Sequence, residues 1–368
     1  MESNDYSLVP LANGTFSIRL LANGETFHPV IGPMAEAEAL YIRQLKLRER
    51  AAGATSPAPR SSRREEAHTN SDEADQSLLT SAATRGEEFV IWDIGLGAGG
   101  NVLTTLHQLK DMPARLHIVS FDHTLGALRF ALEHAEALQF PVGLEGVIED
   151  LLRTQRAEFR HGALQVTWEI HVGDFPGALA ASTRGSTGDP PVPRGNLPHG
   201  TEERPRLFQP VPDASMHSPI PPGQWPGGTG RLPVPPGPDW PAPHAIFFDA
   251  FSPARNPAMW TLPLFENLFR RLDPQRPCAL ATYSRSTIPR VTLLLAGFFV
   301  GAGDPVAEKN ETTMAANTLA LIERPLGARW LERARTSHSA EPLHADEYRI
   351  APLNPETWAR LRAHPQFK

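Results

Sequence analysis

The chain of 368 residues contains a single cysteine, Cys278. One thiol excludes an intrachain disulfide framework and any zinc or iron–sulfur site built from clustered cysteines. An excess of positive charge is missing too: 35 Lys and Arg stand against 41 Asp and Glu, for a formal net charge of -6. That balance argues against nonspecific nucleic-acid binding as the main activity, and leaves room only for a local basic patch. No apolar run reaches the roughly eighteen residues of a membrane span, and the start, MESNDYSLVP, lacks the charged lead and apolar core of a secretory signal. The histidines share no metal-ligand spacing, and neither H-E-x-x-H nor G-x-S-x-G occurs. A cytoplasmic chain without membrane or metal is the expectation.

Proline, by contrast, is abundant: 37 residues, about twice average usage. They concentrate in residues 181–243 (PPVPRGNLPHG, SPIPPGQWPGGTGRLPVPPGPDWPAP). Residues 51–88 are small and charged with almost no large apolar side chain. Neither composition buries enough apolar area to offset the entropy of ordering it. Residues 51–88 therefore read as a low-complexity linker, and 181–243 as a disordered insert that could also be a ligand for a peptide-binding partner.

The remainder divides into four pieces. Residues 1–50 give a small hairpin around Asn13-Gly14 and Asn23-Gly24, then a helix from Met34 to about Arg50. Residues 89–180 alternate strand and helix: FVIWDIG, a helix at Gly100–Lys110, LHIVSFD, helices at Leu125–Leu138 and Leu144–Arg160, and LQVTWEIHVGD. Residues 244–330 resume with HAIFFDAF, a helix at Ala258–Leu272, PCALATYS, a helix at Pro289–Ala296, and two final strands, GFFVGAG and NTLALIE. Residues 331–368 form a carboxyl-terminal extension. Short branched-apolar runs spaced by helices imply a mostly parallel sheet covered on both faces. The last two strands lie too close for a helical crossover and should pair antiparallel. The predicted class is α/β, a Rossmann-like doubly wound sheet with an antiparallel last strand, the architecture of class I S-adenosylmethionine-dependent methyltransferases.

The chemistry concentrates at strand ends. In FVIWDIGLGAGG a buried strand ends near Asp93, and Gly95, Gly97 and Gly99 lead into a helix, so that backbone and helix amides can approach a ligand. A carboxylate before the first glycine suits a cationic sulfonium and amino group better than a pyrophosphate. That favours S-adenosyl-L-methionine over NAD(P). Asp122 ends the second strand and can accept hydrogen bonds from ribose hydroxyls; Asp174, with Phe175 beside it, can meet an adenine. Asp249 ends the fourth strand, where donor and acceptor would meet. Phe251, Ser252 and Pro253 follow as a stiff turn that could wall the pocket, with Tyr283 near.

DAFSPARNPAMW, then LFENLFRRL and LATYS, resembles the signature of the MnmC-like tRNA methyltransferases, which finish the 5-methylaminomethyl group of the wobble (2-thio)uridine. The likeness extends to NGTFSIRLLANGETFHPVIGPMAEAEALYI, DIGLGAGGN and HVGD, and nothing in the chain resembles the FAD oxidase half of two-domain enzymes. The resemblance implies that Gly95, Gly97 and Gly99 cradle the donor, Asp122 holds its ribose, Asp174 meets its adenine, Asp249 contacts the methyl-accepting amine, and Glu36 lies near the donor. It implies a tRNA anticodon loop as partner. Arg43, Lys46, Arg48, Arg50, Arg255, Arg270, Arg271, Arg285 and Arg290 could assemble a phosphate-binding face. Two alternatives stay open: a class I methyltransferase acting on a small amine or a protein, and a noncatalytic binding module.

Overall fold

A computed structural model describes residues 5–22, 24–28, 30–55, 88–140, 143–184 and 240–368. Nearly all of the linker and the insert expected at 51–88 and 181–243 lies outside these described residues, as does Asn23 of the second Asn-Gly pair. The hairpin forms from β1 (Tyr6–Pro10) and β2 (Phe16–Leu20), with Tyr6 opposite Leu20.

Predicted as one helix, 34–50 is interrupted. Helix α1 (Pro33–Ala37) runs into a π-helical turn, Glu38–Arg43, and α2 (Leu47–Thr55) starts afresh after Lys46, whose φ is 49°. The wide turn places Leu40, Tyr41 and Ile42 in the core together, which ordinary helical spacing would not do for three successive side chains. The Arg50 guanidinium then donates to the His244 and Pro277 carbonyls and ties this segment to the sheet.

The main sheet has eight strands in the order β5-β6-β4-β3-β7-β8-β10-β9: β3 (Phe89–Ile94), β4 (Arg115–Asp122), β5 (Arg156–His161), β6 (Leu164–Val172), β7 (Ala245–Phe248), β8 (Ala279–Thr282), β9 (Phe299–Gly303) and β10 (Thr312–Ala316). Strands β6, β4, β3, β7 and β8 are parallel neighbours, and β10 runs antiparallel between β8 and β9. Every residue of β3 is buried, as a strand covered on both faces requires. One face packs on the π turn, α3 (Gly100–Leu109), α4 (Gly126–Glu133) and α5 (Glu145–Thr154) through residues such as Leu45, Leu106, Leu128 and Ile148; the other packs on α7 (Leu262–Arg270), α8 (Thr287–Ala296), α9 (Ala328–Thr336) and α10 (Pro355–Arg362) through Phe265, Leu294, Leu331 and Leu361. A further helix, α6 (Phe175–Arg184), follows β6.

Three further expectations are corrected. The helix read at Leu144–Arg160 stops at Thr154; Gln155 takes φ 59°, and Arg156–His161 turn back as an antiparallel edge strand on β6. The last strand is not NTLALIE but Thr312–Ala316, five residues earlier. All five of its residues are buried between β8 and β9, whereas Leu319–Leu321 form a 3₁₀ turn with Leu319 exposed. The helix read at Ala258–Leu272 begins as a 3₁₀ turn, Pro257–Trp260; Thr261 then caps α7.

Arg290 is a structural residue. It is 2% exposed, and its guanidinium donates to Thr313 Oγ1, the Thr312 carbonyl and Glu311 Oε1 at 2.8–2.9 Å. It clamps the inserted strand β10 to α8 and is closed to a phosphate. Arg290→Ala, which leaves those acceptors without their donor, should lower stability by about 3 kcal/mol in reversible denaturation; a loss within 1 kcal/mol would contradict the clamp.

Candidate active site

The carboxyl ends of β3, β4, β6 and β7 open into one cleft of about 690 Å³, roofed by the hairpin segment. Open α/β sheets bind ligands at this edge. Of the residues singled out in the sequence, Gly95, Gly97, Asp122, Asp174, Phe175, Asp249, Phe251, Tyr283 and Glu36 line it; Asp93, Gly99 and Pro253 do not.

Gly95 has φ 94°, and a Cβ there would lie 2.8 Å from the Asp249 carbonyl oxygen. Only glycine lets the β3 turn pass so close to the end of β7. The Gly97 amide donates to Asp122 Oδ2 at 2.8 Å, while Asp122 Oδ1 accepts from the Thr124 amide at 3.2 Å. The β4 carboxylate thus fixes the glycine turn. Gly99 starts α3 and packs on Leu128. Asp174 is exposed at the lip and accepts from the Gly177 amide at 3.1 Å, at the start of α6; Phe175 is buried against Phe121.

Asp249 stands at the centre. Its Oδ2 accepts from Asn101 Nδ2 at 2.8 Å and lies 3.6 Å from His28 Nε2. The other ring nitrogen, His28 Nδ1, is 3.1 Å from Glu36 Oε2. Glu36 is 5% exposed, and its Oε1 is buried without a hydrogen-bond partner among the described residues. Burial alone would lower the His28 pKa, but the Asp249 and Glu36 carboxylates outweigh it and hold it above the ordinary imidazole value. The rim is aromatic: Phe251 packs on Phe27 of the hairpin segment, and Trp260 Nε1 donates to the Phe251 carbonyl at 2.7 Å, so Trp260 supports the wall from the core. Pro253 lies in the turn beyond. Tyr283 carries the Lys309 ammonium 5.0 Å above its ring, and burial raises its phenol to about 12.

Asp93 sits under the floor. It is fully buried, Ser120 Oγ donates to its Oδ2 at 2.8 Å, and its Oδ1 has no partner among the described residues. Burial is the main cause that raises its pKa to about 7, against the Ser120 hydrogen bond and with help from the charges of Asp249 and Asp122.

Sequence reading missed His28 and Asn101. Asn101 directly follows the glycine run and was within reach; His28 sits in an irregular segment, at φ 45°, where no periodicity marks it. Several of the cations considered for a phosphate-binding face are engaged within the chain: Arg48 with the Gln108 carbonyl, Lys46 with Glu323, Arg255 with Glu25 and Arg271 with the Trp240 carbonyl. Among the described residues no group of three or more His, Cys, Asp or Glu side chains could hold a metal ion, and no helix is long and apolar enough to cross a membrane.

Residues 239–318 match the profile of an S-adenosyl-L-methionine-dependent methyltransferase family. The structure aligns with MnmC2 from Aquifex aeolicus at a TM-score of 0.55 and 18% identity, over 97% of this chain and 84% of that one. The chain has the fold of a class I S-adenosyl-L-methionine-dependent methyltransferase. Over 89 residues it is also 37% identical to the tRNA 5-methylaminomethyl-2-thiouridine biosynthesis bifunctional protein MnmC of Ectopseudomonas mendocina; the match spans 24% of this chain and 13% of that protein. The cofactor of this fold is S-adenosyl-L-methionine, and the cleft fits it. The unpartnered Glu36 oxygen suits a cationic amino group or sulfonium, and Gly95 and Gly97 line the cleft beside it.

Because the folded-state pKa of Asp93 is raised, the native state binds the extra proton between about pH 4 and 7, and stability falls as pH rises through that window. Asp93→Asn should remove this slope. The stability difference between variant and wild type should shift in the variant's favour by on the order of 4 kcal/mol between pH 4 and pH 8. Parallel stability–pH curves for the two proteins would refute the assignment.

Proposed function

We propose that the protein methylates the exocyclic primary amine of 5-aminomethyl(-2-thio)uridine at the wobble position of tRNA, in the cytoplasm. The observation that carries this reading is the Asp249 carboxylate, held by Asn101 just after β7 in the cleft that Gly95 and Gly97 also line.

In this reading Gly95 and Gly97 cradle the cofactor, with Gly99 opening α3 and Asp93 buried beneath the floor on Ser120. Asp122 holds the ribose, Asp174 and Phe175 take the adenine, and Glu36 faces the amino group. When bound, the cofactor supplies a methyl group already activated on a sulfonium. The protein's work is therefore chiefly alignment of an amine for in-line displacement. Asp249 accepts a hydrogen bond from that amine and orients its lone pair. Anticodon bases are single-stranded and can be swung out of their stack; Phe251 and Tyr283, with Pro253 stiffening the turn, would wall the swung-out base. The rim aromatics suit a planar base better than a flexible aliphatic amine. The engagement of Arg48, Arg255, Arg271 and Arg290 within the chain, with the net charge of -6, favours a smaller acceptor instead.

Asp249→Ala should cut methyl transfer at least about 100-fold while leaving cofactor affinity within about threefold by calorimetry, since its carboxylate acts on the acceptor. Turnover near the wild-type rate would overturn this role. Nucleoside analysis of tRNA from a deletion strain should show the 5-methylaminomethyl group lost and 5-aminomethyl accumulated. Unchanged tRNA nucleosides would transfer the activity to a small amine or a protein, and a failure to bind S-adenosyl-L-methionine would leave a noncatalytic module.

A further inference from the structure

We propose that His28 is the base that removes the proton from the acceptor amine, with Glu36 as the residue that aims it. This rests on the amine-methylation reading above. The geometry is specific about which nitrogen does what. Glu36 Oε2, an acceptor when ionised, lies 3.1 Å from His28 Nδ1, a contact that favours the Nδ1–H tautomer when the ring is neutral. Nε2 then presents its lone pair toward Asp249 Oδ2, 3.6 Å away. That separation is too long for a direct hydrogen bond. It leaves the lone pair available at the spot where Asp249 would hold an N–H. His28, Glu36 and Asp249 all line the one cleft.

The arrangement has the logic of a carboxylate–imidazole pair: one carboxylate fixes the tautomer and stabilises the imidazolium that forms. Carboxylates as a class are weak bases toward an alkylammonium. An imidazole is closer to neutral pH, and two carboxylates that stabilise its protonated form bring it closer still. In the step itself the nitrogen lone pair forms the N–C bond, the C–S bonding pair stays on sulfur as a neutral thioether, and one N–H proton passes to His28 Nε2. The imidazolium later releases that proton to solvent. The groups that set the basicity of His28 are Glu36 on α1 and Asp249 after β7; Tyr41 on the π turn, Asp93 at the end of β3 and Tyr283 after β8 are charge-coupled to those two carboxylates.

Two measurements test this on the full chain. Nitrogen-detected NMR of the histidines should find His28 as the Nδ1–H tautomer, titrating above 6.5, and Glu36→Gln should lower that titration. An Nε2–H tautomer, or a titration unmoved by Glu36→Gln, would overturn the proposal whatever the acceptor is. Single-turnover methylation of tRNA bearing 5-aminomethyluridine should fall about 100-fold at pH 7 in His28→Ala and in His28→Asn, which tolerates the positive φ. The deficit should shrink as pH rises and the amine loses its proton unaided, and added imidazole should partly restore His28→Ala. A variant rate within threefold of wild type would overturn the role, and so would a deficit that neither pH nor imidazole relieves. A wild type that loads S-adenosyl-L-methionine, shows the expected His28 tautomer and does not methylate this tRNA would refute the tRNA substrate alone.

Discussion

One close approach organises this molecule. Strands β3 and β7 are parallel neighbours with Ile94 beside Phe248, so the turns that follow them leave the sheet side by side. The Asp249 carbonyl comes so near Gly95 that a single methyl group would not fit between them. A steric constraint in the backbone therefore sets the distance between the glycine turn and the main chain that carries Asp249. Two more hydrogen bonds hold the same geometry from either side, Gly97 to Asp122 and Asn101 to Asp249. Each joins the loop after β3, or the helix it opens, to the end of a neighbouring strand. The glycine turn, Asp122 and Asp249 are thus held where alignment matters, because each directly follows or ends a strand of the buried sheet.

The amino-terminal segment completes what the sheet begins. A doubly wound sheet offers a crevice open to water on one side. Here the hairpin, with Tyr6 and Phe27 in edge-to-face contact and Phe27 packed on Phe251, closes that side. Arg255 reaches from the loop after β7 to Glu25, a second tie across the mouth. The segment also contributes His28 and Glu36, which line the cleft with Asp249. In the proposed mechanism the roof and the proton-handling pair are therefore one structural unit.

The parts of this design that were legible in the sequence are those with a one-dimensional signature. Buried parallel strands read clearly because FVIWDI and AIFF are continuous apolar runs, and carboxylates placed just after such runs must emerge at the ligand edge. Asp122, Asp174 and Asp249 could be found this way. Periodicity failed where two structures share it. RAEFRH continues the charge pattern of the preceding helix, and only the reversal at Gln155 turns it into the edge strand β5. The π turn was invisible because one added residue in a helical segment leaves composition unchanged, yet it is what brings Tyr41 under Asp249 and Phe247. NTLALIE has the apolar content of a strand, but the pairing partner of β8 and β9 is the less apolar TTMAA just before it. His28 belongs to the class no local rule detects, a residue whose meaning lies wholly in partners eight and 221 positions away.

The charge of the site also explains why an acidic protein can hold a nucleoside cofactor. Glu36, Asp93, Asp122 and Asp249 converge beneath one cleft, and Asp93 feels two of the others strongly enough that they add to its burial in keeping it protonated near neutrality. Like charges at about 4 Å and an effective dielectric near 20 repel by about 4 kcal/mol. A pyrophosphate brought into this cleft would meet that penalty from more than one carboxylate. A sulfonium with a cationic amino group meets the opposite sign, and His28 balances part of the remaining negative charge when it is protonated. On the amine-methylation reading the same field would stabilise an ammonium as it docks, which alone would suppress attack, and that reading therefore calls for a base inside the cleft. The preference for a cationic donor and the proposed internal proton acceptor would then be consequences of one electrostatic arrangement.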